Sequence, residues 1–284
     1  ERHRRDGCVR APLFIHMPLA AAPHDPATDT LSLWLRGDSE LSGDLTTLAW
    51  GSRASAGASG SASFLHAGSN EVTQPGTAFD GFTTVHFAGA TPRLDGAEYV
   101  HTTLLGGGDD IAASYTAAYV IQPLSAAAHA VDGGGLYVPG FGGNPTILVD
   151  AADVVGHIFS SDGGTAKFGA YHFESGVGYG ATAPVVWPGG FGTWGLLWFV
   201  WTVASTMKMR VKTVGNAAVE STQAIAQLKM PSASAGLGYL GAVALGITAR
   251  VAEIMIWPAQ ALSSAQISAR EQGYFKTRYP TLGL

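Results

Sequence analysis

Between Met207 and Val214 apolar and polar side chains alternate: Met209, Val211 and Thr213 fall on one side, Lys208, Arg210 and Lys212 on the other. A period of two belongs to an extended chain with one buried face, so this stretch predicts a half-exposed antiparallel strand. Just before it, Trp194 to Ala204 is apolar on both faces and too short for a membrane span, which predicts a central strand buried on both sides. Phe82 to Phe87 and Tyr115 to Ile121 alternate aromatic or β-branched residues with polar ones and end near Gly or Pro, as core strands do. Leu31 to Leu35 and Leu45 to Trp50 read as further strands, followed by a Gly/Ser/Ala-rich loop over 51–63. Leu237 to Ile247, broken by Gly238, Gly241 and Gly246, supplies more short ones.

The period changes in the last segment, Val251 to Tyr279. Ile254, Met255, Ile256 and Trp257 make an apolar run of strand length that stops at Pro258, which cannot continue a ladder. A helix over Ser264 to Lys276 follows. Ser263 is its predicted N-cap, Gln266 completes a capping box, and Leu262 and Ile267 occupy the positions of a hydrophobic staple. Ile267, Tyr274 and Phe275 form an apolar stripe on a helix otherwise carrying Arg270, Glu271, Lys276 and Arg278.

This strand, turn and capped helix resemble the closing segment of the concanavalin A-like, laminin-G-like jelly-roll superfamily. Ala252, Glu253, Trp257, Ala261, Leu262, Ser263, Tyr274, Phe275, Arg278 and Tyr279 stand where the family's closing pattern puts them. Leu33-Trp34-Leu35 resembles the family's opening strand, with Arg36 and Gly37 in place of its usual acidic and small residues. Phe87-Ala88-Gly89 is similar to a family strand end, and Trp194 to Val203 with Lys208 to Gly215 is similar to its hairpin, here without Asn-Gly. The resemblance covers Leu31 to Pro280 and implies a two-sheet antiparallel β-sandwich. Lectins, glycanases, adhesion modules and virion proteins share that fold, so it speaks to architecture more than to function.

With 284 residues, 46% hydrophobic and 13% charged, the chain is long enough for a large core and too apolar to be disordered. Scattered glycines, 38 in all without a Gly-X-Y period, point to many turns between short strands. The expectation is one all-β jelly-roll domain over 31–284 plus an extended arm over 1–30. In that arm Pro12, Pro18, Pro23 and Pro26 deny a regular ladder, and no apolar periodicity is sustained. Arg2, Arg4, Arg5 and Arg10 at its tip read first as a solvated tail, with an assembly arm lying on a neighbouring subunit as the sharper alternative. Leu13-Phe14-Ile15 is too brief for the apolar core of a signal peptide, and Glu1 in place of Met suggests either processing or a trimmed chain.

A formal charge of −5 gives no footprint for nucleic acid or an anionic membrane, and neither is expected as a partner. The lone Cys8 excludes an internal disulfide. Arg36-Gly37-Asp38-Ser39 spells an integrin-type tetrapeptide, which short motifs do by chance, and it is discounted. Asp109-Asp110 after three glycines reads as turn chemistry, with calcium as the minor alternative; no other cofactor is indicated.

Catalysis by glycoside hydrolysis needs two carboxylates at fixed separation. The glycanase branch of the resembled superfamily carries them in a Glu-x-Asp-x-(x)-Glu strand pattern, and none of Glu40, Glu71, Glu98, Glu174, Glu220, Glu253 and Glu271 begins one. His172 and Glu174 are left as a weak acid/base pair on one strand. The candidate ligand-binding residues are Tyr137 and Phe141 in the glycine-rich stretch 131–143, and Tyr179, Trp187 and Phe191 in the second, 176–192. Aromatics on such loops either plug the ends of the core or offer flat faces to sugar rings, the plug being favoured. The expected function is non-enzymatic: a virion structural or attachment protein on the particle surface, joined to other virion subunits through the arm, with host surface glycans as the candidate ligand. The alternatives are a polysaccharide depolymerase of the same fold and a secreted carbohydrate-binding module.

Overall fold

The structure, a computed structural model, describes residues 25–31, 33–39, 41–42, 49–51, 63–66, 72–73, 78–87, 94–96, 113–125, 136–137, 154–162, 165–174, 178–181, 185–224, 235–237 and 248–284. It is an all-β sandwich of antiparallel strands closed by one short C-terminal helix. The main sheet runs Val219–Ala224, Thr206–Thr213, Gly195–Thr202, Tyr115–Ser125, Thr248–Pro258, Val85–Phe87 and Val72–Thr73, with Leu33–Arg36 also paired to Thr248–Pro258. A second sheet holds Leu136–Tyr137, Val154–Asp162, Thr165–Glu174, Gly178–Ala181 and Val185–Val186, and a third holds Ala235–Leu237, Leu94–Gly96, Ser63–His66, Ala49–Gly51 and Leu41–Ser42.

The periodicities translate directly. Gly195–Thr202 lies between two partners and is buried at its first seven positions, because sheet faces on both sides are covered. Thr206–Thr213 alternates half-buried and buried residues, with Met207, Met209, Val211 and Thr213 inward. Phe82 to Phe87 is divided at Thr84 into Phe82–Thr83 and Val85–Phe87. Residues 43–48, 52–62 and 238–247, where further strand and loop was expected, lie outside the described residues. So does most of the arm, 1–24. Its last part, Pro26–Thr28, forms a 3-10 turn capped by Asp25, and Leu31 behind it is buried.

The C-terminal helix starts as its signals require. The Ser263 hydroxyl accepts from the Gln266 N–H at 3.3 Å while Gln266 Oε1 accepts from the Ser263 N–H at 2.9 Å, and Leu262 and Ile267 are both buried. Thr116 fixes the turn ahead of it by accepting from the Leu262 N–H at 3.0 Å and donating to Gln260 O at 2.8 Å. Ser264–Arg270 is α, Glu271–Phe275 is one π turn in which the Lys276 N–H reaches back to Glu271 O, and Lys276–Arg278 resumes α. The helix lies across the outer face of the main sheet, packing Ile267 and Phe275 with Trp34, Ala118, Val120, Trp198, Met255 and Trp257. Phe275 meets Trp198 edge-on at 5.4 Å.

Three of the four charges named beside the apolar stripe face inward: Arg270 and Glu271 are buried, and the Arg278 side chain is only 10% exposed. Counting from Ile267, they fall at i+3, i+4 and i+11, on the same face as Tyr274 and Phe275 at i+7 and i+8. Each charge can be inward because it meets a counter-charge there: Arg270 meets Asp29, Glu271 meets Arg210, and Arg278 meets Asp38 and Glu253.

Candidate functional site

Two polar groups lie on the outer face of the main sheet, and a β-bulge separates them. In the pairing of Tyr115–Ser125 with Thr248–Pro258, Val120 faces Glu253 but Ile121 faces Val251, so Ala252 is the extra residue. The Ala252 carbonyl accepts from the Gly37 N–H at 2.8 Å. Strand alternation would send Arg250 to the face opposite Glu253; the inserted residue rephases the strand and brings both to the outer face.

The first group is built on Glu253, 1% exposed. Its carboxylate accepts from Trp34 Nε1 at 2.5 Å, Tyr274 Oη at 2.7 Å and Tyr279 Oη at 2.8 Å, and Arg278 Nε lies 3.3 Å away. Burial pushes its carboxyl above the usual glutamate range, with Arg278 and the three donors pulling the other way. Arg278 also covers Phe82, its Cζ 3.6 Å from the ring centroid, and places Nη2 2.8 Å from Asp38. Burial opposes the charge of Asp38, but hydrogen bonds from Arg36 and Arg278 outweigh it and hold the carboxyl below the usual range. Elsewhere along the helix Glu271 accepts from Arg210 at 2.9 Å twice and from Trp198 at 3.1 Å, while Asp29 accepts from Arg270 at 2.8 and 3.1 Å and from Trp257 at 2.7 Å. These contacts fasten the helix and residues 25–31 to the sheet.

The integrin-type tetrapeptide is part of this fastening. Arg36 and Asp38 bind each other at 2.8 Å, and Gly37 is buried where an added Cβ would come within 2.5 Å of Thr83 O. Glycine is needed there for close approach of two backbones.

The second group is a row across three strands, with Gln122 opposite Arg250 and Arg250 opposite His86. Arg250 Nη1 donates to Gln122 Oε1 at 3.0 Å, and Gln122 Nε2 donates to Gly192 O at 2.6 Å. Arg250 Nε and His86 Nε2 are shielded from solvent and have no hydrogen-bond partner. Burial first, and then the charge of Arg250, lowers the His86 pKa below its ordinary value. None of these three residues stands out in the sequence. The row exists only through strand pairing and a bulge, and no local spacing announces either.

Of the candidate ligand-binding residues, Trp187 is buried, donates its indole N–H to Thr193 O at 3.1 Å and packs on Gly195, where an added Cβ would lie 2.6 Å from its ring. Phe191 is half-buried in the turn next to Gly192, which ties it in sequence to the Gln122–Arg250–His86 row. Tyr137 is opposite Ile158 on an edge strand, and Tyr179 is opposite Phe173. Phe141 and the Asp109-Asp110 pair lie outside the described residues. His172 and Glu174 occupy Thr165–Glu174 opposite Gly180 and Gly178. Among the described residues no three His, Cys, Asp or Glu side chains are grouped to hold a metal ion, and no helix is long and apolar enough to cross a membrane.

No protein-family profile matches the chain, and no curated protein matches it. Solved structures do. The chain is similar to the binding domain of botulinum neurotoxin serotype D, with a TM-score of 0.55 at 9% identity over 88% of this chain and 53% of that one. It is similar to the serotype D ligand-binding domain in complex with N-acetylneuraminic acid, with a TM-score of 0.52 at 8% identity over 87% and 52%. A third is the binding domain of botulinum neurotoxin DC in complex with rat synaptotagmin II, with a TM-score of 0.50 at 9% identity over 87% and 52%. The chain spans about half the length of these structures. At such identity the likeness is one of fold.

Proposed function

We propose that this chain is a non-enzymatic binding domain: a structural or attachment protein on the outside of a bacterial virus particle, whose concanavalin A-like sandwich adheres to host-surface glycans. The observation that carries the binding role is the match of most of the chain to receptor-binding and ligand-binding domains, one of them in complex with N-acetylneuraminic acid. The concanavalin A-like assignment rests on the closing segment, in which Glu253, Tyr274, Arg278 and Tyr279 converge as one fastening. The virion setting rests on the proline-rich residues 1–24 as an arm for neighbouring subunits and on the low-charge composition. Within the domain Tyr137, Phe141, Tyr179 and Phe191 are the aromatic positions offered to sugar rings, with Trp187 bracing the loop that carries Phe191.

The test is a purified chain presented with immobilised bacterial surface polysaccharides and sialylated glycans, read for saturable binding and for new reducing ends. Binding without cleavage is expected. Release of oligosaccharides overturns the reading in favour of a depolymerase, and absence of binding to every glycan overturns the adhesive role.

A further inference from the structure

Arg250 differs from the other described arginines. Arg36, Arg210, Arg270 and Arg278 each meet a carboxylate, of Asp38, Glu271, Asp29 and Glu253 respectively. Arg250 meets none: it donates to an amide oxygen, Gln122 Oε1, and stands beside the like-signed His86. A half-buried guanidinium without a counter-charge is costly to keep, and so is a shielded imidazole nitrogen with nothing to bond. The bulge at Ala252 raises the question further. Regular alternation would turn residue 250 inward, and the extra residue instead holds Arg250 on the outer face, between Gln122 and His86. Gln122 is itself fixed by Gly192 O, so the guanidinium is oriented through a chain of hydrogen bonds rather than left to swing. Such unsatisfied, oriented positive charge is what an arriving oxyanion would complete.

From this geometry we infer that Arg250, oriented by Gln122 and flanked by His86, is an anion subsite that takes the carboxylate of an acidic sugar. This deepens the glycan-binding role proposed above and rests on it. A guanidinium suits a carboxylate, and the half-buried setting strengthens the pair relative to open water. Half-buried Phe191 directly precedes Gly192, whose carbonyl holds Gln122, and within this proposal it is the apolar surface for the sugar ring. Because Arg250 lacks a counter-charge in the free protein, its replacement should not weaken the fold, unlike replacement of the four paired arginines.

The experiment titrates the full chain with N-acetylneuraminic acid, with its methyl ester and with acetate, by calorimetry. The acid is expected to bind, and the ester, which lacks the charge, to bind about tenfold or more weakly. Arg250→Met should cost the acid a similar factor, leave the ester unchanged and keep or raise the melting temperature. Gln122→Ala, which frees the guanidinium without removing it, should give a smaller loss for the acid. Equal binding of acid and ester, an Arg250→Met protein that binds the acid like the parent, or acetate binding as tightly as the sugar acid overturns the subsite. If glycan binding persists in those cases, the adhesive role stands without it; if no glycan binds at all, both fall. A lowered melting temperature in Arg250→Met with unchanged acid binding would make Arg250 a structural residue and likewise overturn the inference.

Discussion

Trp34 donates its indole N–H to the carboxylate of Glu253 at 2.5 Å, joining residues 219 positions apart in the sequence. Their strands pair with Arg36 opposite Glu253 and Trp34 opposite Met255, so the indole reaches along its neighbour to the one buried acid of that strand. Tyr274, Tyr279 and Arg278 reach the same carboxylate from the helix side, and Glu253 thereby links the first strand, the last strand and the chain terminus.

Replacement of Glu253 should therefore be more damaging than its single position suggests. Glu253→Ala leaves Arg278 and three donors facing a void and should cost about 3 kcal/mol or more. Glu253→Gln keeps the shape but turns an N–H₂ toward donors and should cost about 1–3 kcal/mol. Urea unfolding measures both, and a loss below about half a kcal/mol for the alanine variant would show that the helix is not held through this residue.

The stripe separates its two aromatics. Phe275 is buried at 1% exposure against Trp198, so Phe275→Ala should cost about 3–5 kcal/mol. Tyr274 is only half-buried and bonds Glu253, so Tyr274→Phe should cost about 1 kcal/mol. Equal effects of the two would contradict the packing described.

How much of this was legible depends on the range over which each signal acts. The capping box, the staple and the alternation of Met207 to Val214 are local, and each element formed where its residues placed it. The spacing of Arg270, Glu271 and Arg278 puts them on the face of Ile267 and Phe275, but helical charges usually mark the solvent side, so spacing alone does not announce their burial. Their partners Asp29, Arg210 and Asp38 come from three distant segments. The Gln122–Arg250–His86 row was not legible at all, because it depends on the register of three strands and on one inserted residue.

Acid should weaken the fold partly through Asp38. Arg36 and Arg278 hold its folded-state carboxyl below the ordinary aspartate range. A depressed acid contributes stability that is fully present above its unfolded value and lost as pH falls through its folded value. Glu253 has the opposite sign: raised by burial, it takes up a proton earlier in the folded state, which favours folding as pH falls toward the ordinary glutamate range. Below the ordinary aspartate value, the stability of the parent should thus fall more steeply with acid than that of Asp38→Asn. Parallel curves from melts at stepped pH would remove Asp38 from the acid limb.

The final prediction concerns where the arm ends. Asp29 accepts from Arg270 and from the Trp257 indole, and Arg270 stacks over Trp257 with its Cζ 5.4 Å from the ring centroid. Residues 25–31 are thus fastened to the helix, and a cut after residue 24 should leave a domain as stable as the parent. A cut after residue 31, or Asp29→Ala alone, strands the buried Arg270 charge and should cost about 3 kcal/mol. If residues 1–24 serve as the assembly arm, the first truncation should fold and melt like the full chain yet fail to enter particles, whereas Asp29→Ala should enter them with lowered thermal stability. A truncation to residue 25 that incorporates normally would remove the arm from assembly, and an Asp29→Ala protein that melts like the parent would detach residues 25–31 from the fold.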